Sequence, residues 1–76
     1  MGFNDKYREL AAVACLIGQN NTSLPLKAHL KGMFNVGWKK EEIIELIIFL
    51  IGYAGFPSCV GAITTLKQVI EEHELV

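Results

Sequence analysis

The sequence contains no Cys-x-x-Cys pair and no cluster of cysteine and histidine at the spacing that binds structural zinc. Its two cysteines, Cys15 and Cys59, are too few for a disulfide scaffold. A chain of 76 residues therefore lacks both usual aids to a small fold. It also lacks an excess of either charge: 7 Lys and Arg stand against 8 Asp and Glu, for a formal net charge of −1. A nucleic-acid binder would carry a basic stripe. Lys27, Lys31, Lys39 and Lys40 come nearest, but they are scattered over a helix and the following turn, and Glu41 and Glu42 come directly after. No nucleic-acid partner is expected.

No leader-like run is visible, because Met1 to Leu10 is polar and mixed in charge, so the expected location is cytoplasmic. Asn20-Asn21-Thr22 and Asn21-Thr22-Ser23 match a glycosylation sequon but read as turn residues. Leu46 to Leu66 holds no charged residue, a length that could span a bilayer. Gly52, Gly55, Pro57 and Gly61 interrupt it, and Gly55-Phe56-Pro57 reads as a break between two helices. No membrane span is expected.

What the chain has in quantity is apolar surface. Hydrophobic residues make up 51% of it, and the mean hydropathy is +0.34. A domain this short buries only about 60% of the surface of its unfolded chain. The surplus must lie outside, where large apolar patches usually mark association. The expectation is a homo-oligomer.

Helix signals run throughout, with no strand pattern, internal repeat or low-complexity segment. A first helix is expected from about Asp5 to Ile17, capped by Asn4 or Asp5, with Leu10, Val13, Ala14 and Ile17 as its apolar face and Gly18 as its left-handed end. Thr22 or Ser23 can cap a second helix, with Pro25 in its first turn, Leu26, Leu30 and Met33 as its stripe, and Gly37 at its end. A third begins near Lys39 or Lys40, with Glu41 and Glu42 at the positive end of its dipole. Its run from Ile43 to Ile51 is apolar on nearly every side and needs cover all round. A fourth is expected from Pro57 or Ser58 to about Glu72, with Val60, Ile63, Leu66 and Ile70 as its apolar face.

Three side chains could carry chemistry. Cys59 falls in the first turn of the fourth helix, where backbone N–H groups favour a thiolate; the commoner role of a free cysteine is a small buried hydrophobe. His29 lies at the edge of the Leu26–Leu30–Met33 stripe and could exchange a proton, or simply be packed and hydrogen-bonded. Glu45 is one helical step from Glu41 on a face that could be solvated, yet isoleucine and leucine flank it. A carboxylate enclosed by such neighbours can give or take a proton. Tyr53 and His73 are lesser candidates, and Trp38 reads as a staple of the third helix or a subunit anchor.

Three segments in order carry a resemblance. They are Arg8-Glu9-Leu10; His29-Leu30-Lys31-Gly32-Met33-Phe34-Asn35-Val36-Gly37 continuing through Glu41-Glu42-Ile43-Ile44-Glu45; and Tyr53-Ala54-Gly55-Phe56-Pro57. Taken together they resemble the carboxymuconolactone decarboxylase family, which also holds the alkylhydroperoxidase-like proteins, over about Lys6 to Glu72. The resemblance implies an all-α, alkylhydroperoxidase-like fold of four short helices, assembled as trimers or hexamers. It implies a single domain, residues 1–76, without the N-terminal helical segment that members usually have. It also implies a lyase that takes carboxylate from a small metabolite of aromatic breakdown, with no metal or organic cofactor, and with His29 and Glu45 lining the site.

Several positions depart from the family pattern. Phe49 stands where the third helix often has His or Gln, Lys39 stands for the usual Thr or Ser cap, and Ser58-Cys59-Val60-Gly61 replaces small residues followed by Asn. The hydroperoxidase members use a Cys-x-x-Cys pair, of which only Cys59 is present here. Two other readings therefore stand beside the lyase: a thiol-dependent peroxidase-like protein using Cys59, and a non-catalytic helical oligomerisation module.

Overall fold

The structure is a computed structural model that describes residues 3–74; the outermost ends of the expected domain, residues 1–2 and 75–76, lie outside the described residues. Four helices follow one another: α1 (Asp5–Gly18), α2 (Leu24–Asn35), α3 (Lys40–Ala54) and α4 (Phe56–Glu72). No strand occurs among the described residues. Helix α1 packs on α2 and α3, and α4 packs on the same two. None of these helices is long and apolar enough to cross a membrane.

Local chemistry sets the helix ends. The Asn4 side chain accepts a hydrogen bond from the Tyr7 N–H and so caps α1. The end of α1 differs from expectation. Gly18 stays helical, and Asn20, at φ 57°, makes the left-handed turn. Asn is the non-glycine residue that tolerates this region best. The Asn21 N–H then reaches the Leu16 carbonyl and the Asn20 N–H the Ile17 carbonyl, so the last turn leaves few free acceptors. Helix α2 ends in the same way at Gly37, φ 103°, with Trp38 N–H on the Met33 carbonyl. Ser23 precedes α2 as anticipated but makes no side-chain cap. Lys39 precedes α3, and its backbone N–H is taken up by the Glu42 carboxylate at 2.9 Å.

Trp38 fixes the α2–α3 turn to the start of α1. Its indole Nε1 donates to the Lys6 carbonyl at 2.9 Å, and the Lys6 ammonium lies 4.5 Å from the ring centroid. The aromatic in this turn is thus a clamp within the protomer.

The core comprises Val13 and Ile17 of α1, Leu26, Leu30 and Met33 of α2, Ile43 and Ile47 of α3, and Cys59, Ala62, Leu66 and Val69 of α4. Burying each of the larger side chains contributes about 1.5–3 kcal/mol. The stripe expected on α2 is the one that is buried. On α4 the inward face is Cys59–Ala62–Leu66–Val69, while Val60 and Ile63 of the expected face point outward. Both faces of α4 are apolar at helical spacing, so periodicity alone could not choose between them.

A second, polar face of α4 anchors the α1–α2 loop. The Ser58 hydroxyl donates to the Ile17 carbonyl, and the Thr65 hydroxyl donates to the Thr22 carbonyl. Between them on the same face, Gly61 leaves room for Thr22, whose Oγ1 would lie 2.7 Å from a Cβ at position 61. Small and hydroxyl residues at i, i+3 and i+7 thereby let a loop approach the helix and satisfy its carbonyls.

Helices α3 and α4 meet at Gly55, with φ 91° and ψ 156°. Only glycine holds this conformation without strain. Replacing Gly55 with Ala is expected to cost about 1–3 kcal/mol and to lower the thermal midpoint by roughly 4–8 °C per kcal/mol for a domain of this size. Melting followed by circular dichroism at fixed protein concentration measures it.

Candidate active site

His29 faces α1 from the second turn of α2. Its Nδ1 lies 2.8 Å from Oε1 of Glu9, and the pair is part-buried. The side chains of His29 and Glu9 are 44% and 28% exposed, so solvent or a small molecule can reach the imidazole. An ionised carboxylate can only accept, so Nδ1 donates to Glu9, and Nε2 is the nitrogen not engaged by it.

Gly32 makes this approach possible. A Cβ there would lie 2.7 Å from both Cδ and Oε1 of Glu9 and 2.9 Å from Oε2. Gly32 sits one helical turn after His29, on the same side of α2. The carboxylate of Glu9 therefore occupies the volume that a side chain at position 32 would fill. The sequence carried Glu9 only as part of Arg8-Glu9-Leu10, not as a site residue. Two signals pointed to it: Glu9 precedes the inward-facing Leu10, at the margin of the buried face of α1, and a glycine in a helix interior often marks a close approach.

Glu45 is not enclosed by its apolar neighbours. It is exposed, and lines a shallow cavity with Leu10, Trp38, Glu42, Leu46 and Phe49. His29 is not part of that lining. Because Leu10 follows Glu9 directly, the two places lie on neighbouring sides of α1, about 100° apart around the helix. Phe49, 64% exposed, stacks at a tilt with Tyr53, 5.3 Å between ring centroids.

Cys59 is 2% exposed in the first turn of α4. It lines an apolar groove with Ile47, Ile48, Ile51, Phe56, Val60, Ile63 and Thr64. Its surroundings are those of a small buried hydrophobe. Cys15 and Cys59 are both free thiols, the first exposed on α1 and the second in this groove. His73 is exposed just past the end of α4. Among the described residues, no three His, Cys, Asp or Glu side chains gather closely enough to hold a metal ion.

Comparison with known proteins covers most of the chain. The family model described as "Carboxymuconolactone decarboxylase family" matches residues 2–68. The chain is 32% identical over 71 residues to the nitrosuccinic acid decarboxylase of Metarhizium robertsii, a match covering 93% of this chain and 49% of that protein. It is 32% identical over 65 residues to the 4-carboxymuconolactone decarboxylase of Acinetobacter baylyi, covering 86% of this chain and 48% of that protein. The chain thus spans about half the length of the curated relatives it matches. The matched region takes in Glu9, His29, Gly32, Glu45 and Cys59 together, and the chain belongs to the carboxymuconolactone decarboxylase family.

Proposed function

We propose that this protein is a cofactor-free decarboxylase of a small carboxylated molecule, with His29 as its proton-transfer group and Glu9 as the residue that positions it. The observation that carries the reading is the 2.8 Å contact between Glu9 and His29 in a space kept open by Gly32. A histidine held by a carboxylate on one nitrogen and open on the other is arranged for acid–base work.

The names of the two relatives suggest a common substrate chemistry. A nitro group and a lactone carbonyl are both electron sinks. A carboxylate on a carbon conjugated with such a sink can leave as carbon dioxide. The electrons of the broken carbon–carbon bond move into the sink, giving an anion of the nitronate or enolate type. A proton from imidazolium Nε2 then goes to carbon, and His29 recovers it from water. The net change is the exchange of carboxylate for hydrogen. Glu9 offsets the positive charge on the ring while it carries two protons. Glu45, beside Trp38 and Phe49 on the neighbouring side of α1, is the second proton-transfer candidate in this reading. Cys59, walled in by isoleucines, is given no part.

The reading is tested with 4-carboxymuconolactone and nitrosuccinic acid as probes, following release of carbon dioxide. Replacing His29 with Ala is expected to lower kcat by about a hundredfold or more, the usual worth of a positioned acid–base group. Full turnover in that variant would remove His29 from the chemistry, and no turnover of either probe by the unaltered protein would leave the non-catalytic module in its place. Dialysis against a chelator is expected to leave the rate unchanged.

Gly32→Ala separates positioning from folding. Alanine is better than glycine within a helix by about 0.5–1 kcal/mol, and the atom it would strike is the movable end of Glu9. The variant is expected to melt no lower than the parent. Its kcat should nevertheless fall as far as that of Glu9→Gln, because the carboxylate is pushed off His29. A fall in activity that follows a fall in melting temperature would argue for a structural role alone.

A further inference from the structure

The Glu9–His29 pair is arranged to take a proton as well as to give one. Glu9 Oε1 lies 2.8 Å from Nδ1, so a neutral ring keeps its proton on that nitrogen and has Nε2 as its base. When Nε2 accepts a proton, the same carboxylate offsets the charge that appears on the ring. Gly32 makes room for this, because the Glu9 carboxylate fills the volume of its missing Cβ. The hydrogen bond holds the ring in one orientation. The His29 side chain is 44% exposed, so hydrogen on the ring can exchange with water between one transfer and the next.

In the reading above, on which this inference rests, loss of carboxylate leaves a nitronate or enolate anion beside the imidazolium. The same anion can be reached with no loss of carbon dioxide, by taking the proton from the carbon that adjoins the nitro group or carbonyl. The C–H bond breaks, its proton passes to Nε2, and its electron pair moves into the sink. Return is the reverse: Nε2 gives a proton to carbon, and the electron pair comes back to form the C–H bond. No oxidant, reductant or second substrate takes part. A site that stabilises one anion serves both routes to it. Abstraction needs the sink but not a departing carboxylate. The other groups of this kind are less suited to the task. Cys59 is 2% exposed among isoleucines, and His73 is exposed just past the end of α4.

We propose that this protein has a further activity: His29 removes and returns a proton on carbon acids that carry a nitro group or lactone carbonyl and no departing carboxylate, exchanging a hydrogen of that carbon with water. A base fixed on one side of a planar anion returns the proton to the face from which it came. Exchange at a methylene is therefore confined to one of its two hydrogens. A freely tumbling imidazole makes no such distinction.

The probe is 3-nitropropanoate, which nitrosuccinic acid would yield by losing the carboxylate beside its nitro group. It is incubated with the whole chain in deuterium oxide and followed by proton NMR. The signal of the methylene beside the nitro group is expected to fall by half and then hold. That fall should be at least about a hundredfold faster than with an equal concentration of free imidazole. His29→Ala is expected to slow it by about the same factor, and His73→Ala to leave it unchanged. Gly32→Ala keeps the test sound if the His29 variant fails to fold: with its melting temperature held, exchange should slow and spread to both hydrogens. Carbon dioxide release from nitrosuccinic acid is measured in the same preparation. Exchange of one hydrogen without that release would sustain the inference and remove the decarboxylase. Release without exchange would overturn the inference and leave the decarboxylase standing. Exchange of both hydrogens at equal rates, or exchange indifferent to His29→Ala, would also overturn it.

Discussion

The site depends on the close approach of α1 and α2 at Gly32. With any larger residue there, the Glu9 carboxylate could not lie against α2 within 2.8 Å of His29. The consequences run in both directions along the chain. Toward the core, Val13 and Ile17 of α1 seat beside Leu26, Leu30 and Met33, and that packing fixes the relative placement of the two helices. Toward the surface, His29 is turned outward with one nitrogen engaged and the other open. A helix-interior glycine is a cost to α2 by intrinsic propensity. The cost is offset where the missing side chain admits a charged partner, and the acid–base geometry follows from it.

A second set of small residues does the same for the rest of the framework. Ser58, Gly61 and Thr65 give α4 a side on which the α1–α2 loop can rest with its carbonyls satisfied. Asn20 reverses the chain at the end of α1, and Gly37 and Trp38 tie the next turn back to α1. Each turn is therefore held by a named side chain or by a residue that accepts a positive φ. Together they set the register in which the buried stripes meet.

Much of the fold was legible because helical periodicity and turn chemistry act locally. The stripe on α2, the Asn4 cap, the glutamates of α3 and the breaks at Gly37 and Gly55 can all be read residue by residue, and the structure has them. Gly18 misled because a glycine near a helix end suggests the reversal, while the neighbouring Asn20 makes it. The inward face of α4 was read correctly only at Leu66, because Cys59–Ala62 and Val60–Ile63 are both apolar and only packing decides which turns in. Of the pair on which the proposal rests, one member was legible. His29 stands out as a histidine at the edge of an apolar stripe. Glu9 joins it through a contact between helices, about twenty residues apart in sequence, which the helix-interior Gly32 marks as a close approach without naming the partner. For Glu45 the two readings were a solvated face and an apolar enclosure, and it is exposed because Ile43 and Ile47 turn into the core from another side of α3.

Part of the surplus of apolar residues has a definite place. Ile48, Ile51, Phe56, Val60 and Ile63 gather where α3 and α4 lie side by side, while Phe3, Tyr7, Leu24, Phe49 and Tyr53 are exposed elsewhere. Both helices bury one apolar face in their own protomer and present another outward. Within the described residues α1 and α2 pack on the inner side of this pair, and its outer face is left open. The Glu9–His29 pair lies on the other helix pair, with the core between. The proposed proton-transfer group and the exposed apolar face thus fall on different helices, His29 on α2 and the groove on α3 and α4.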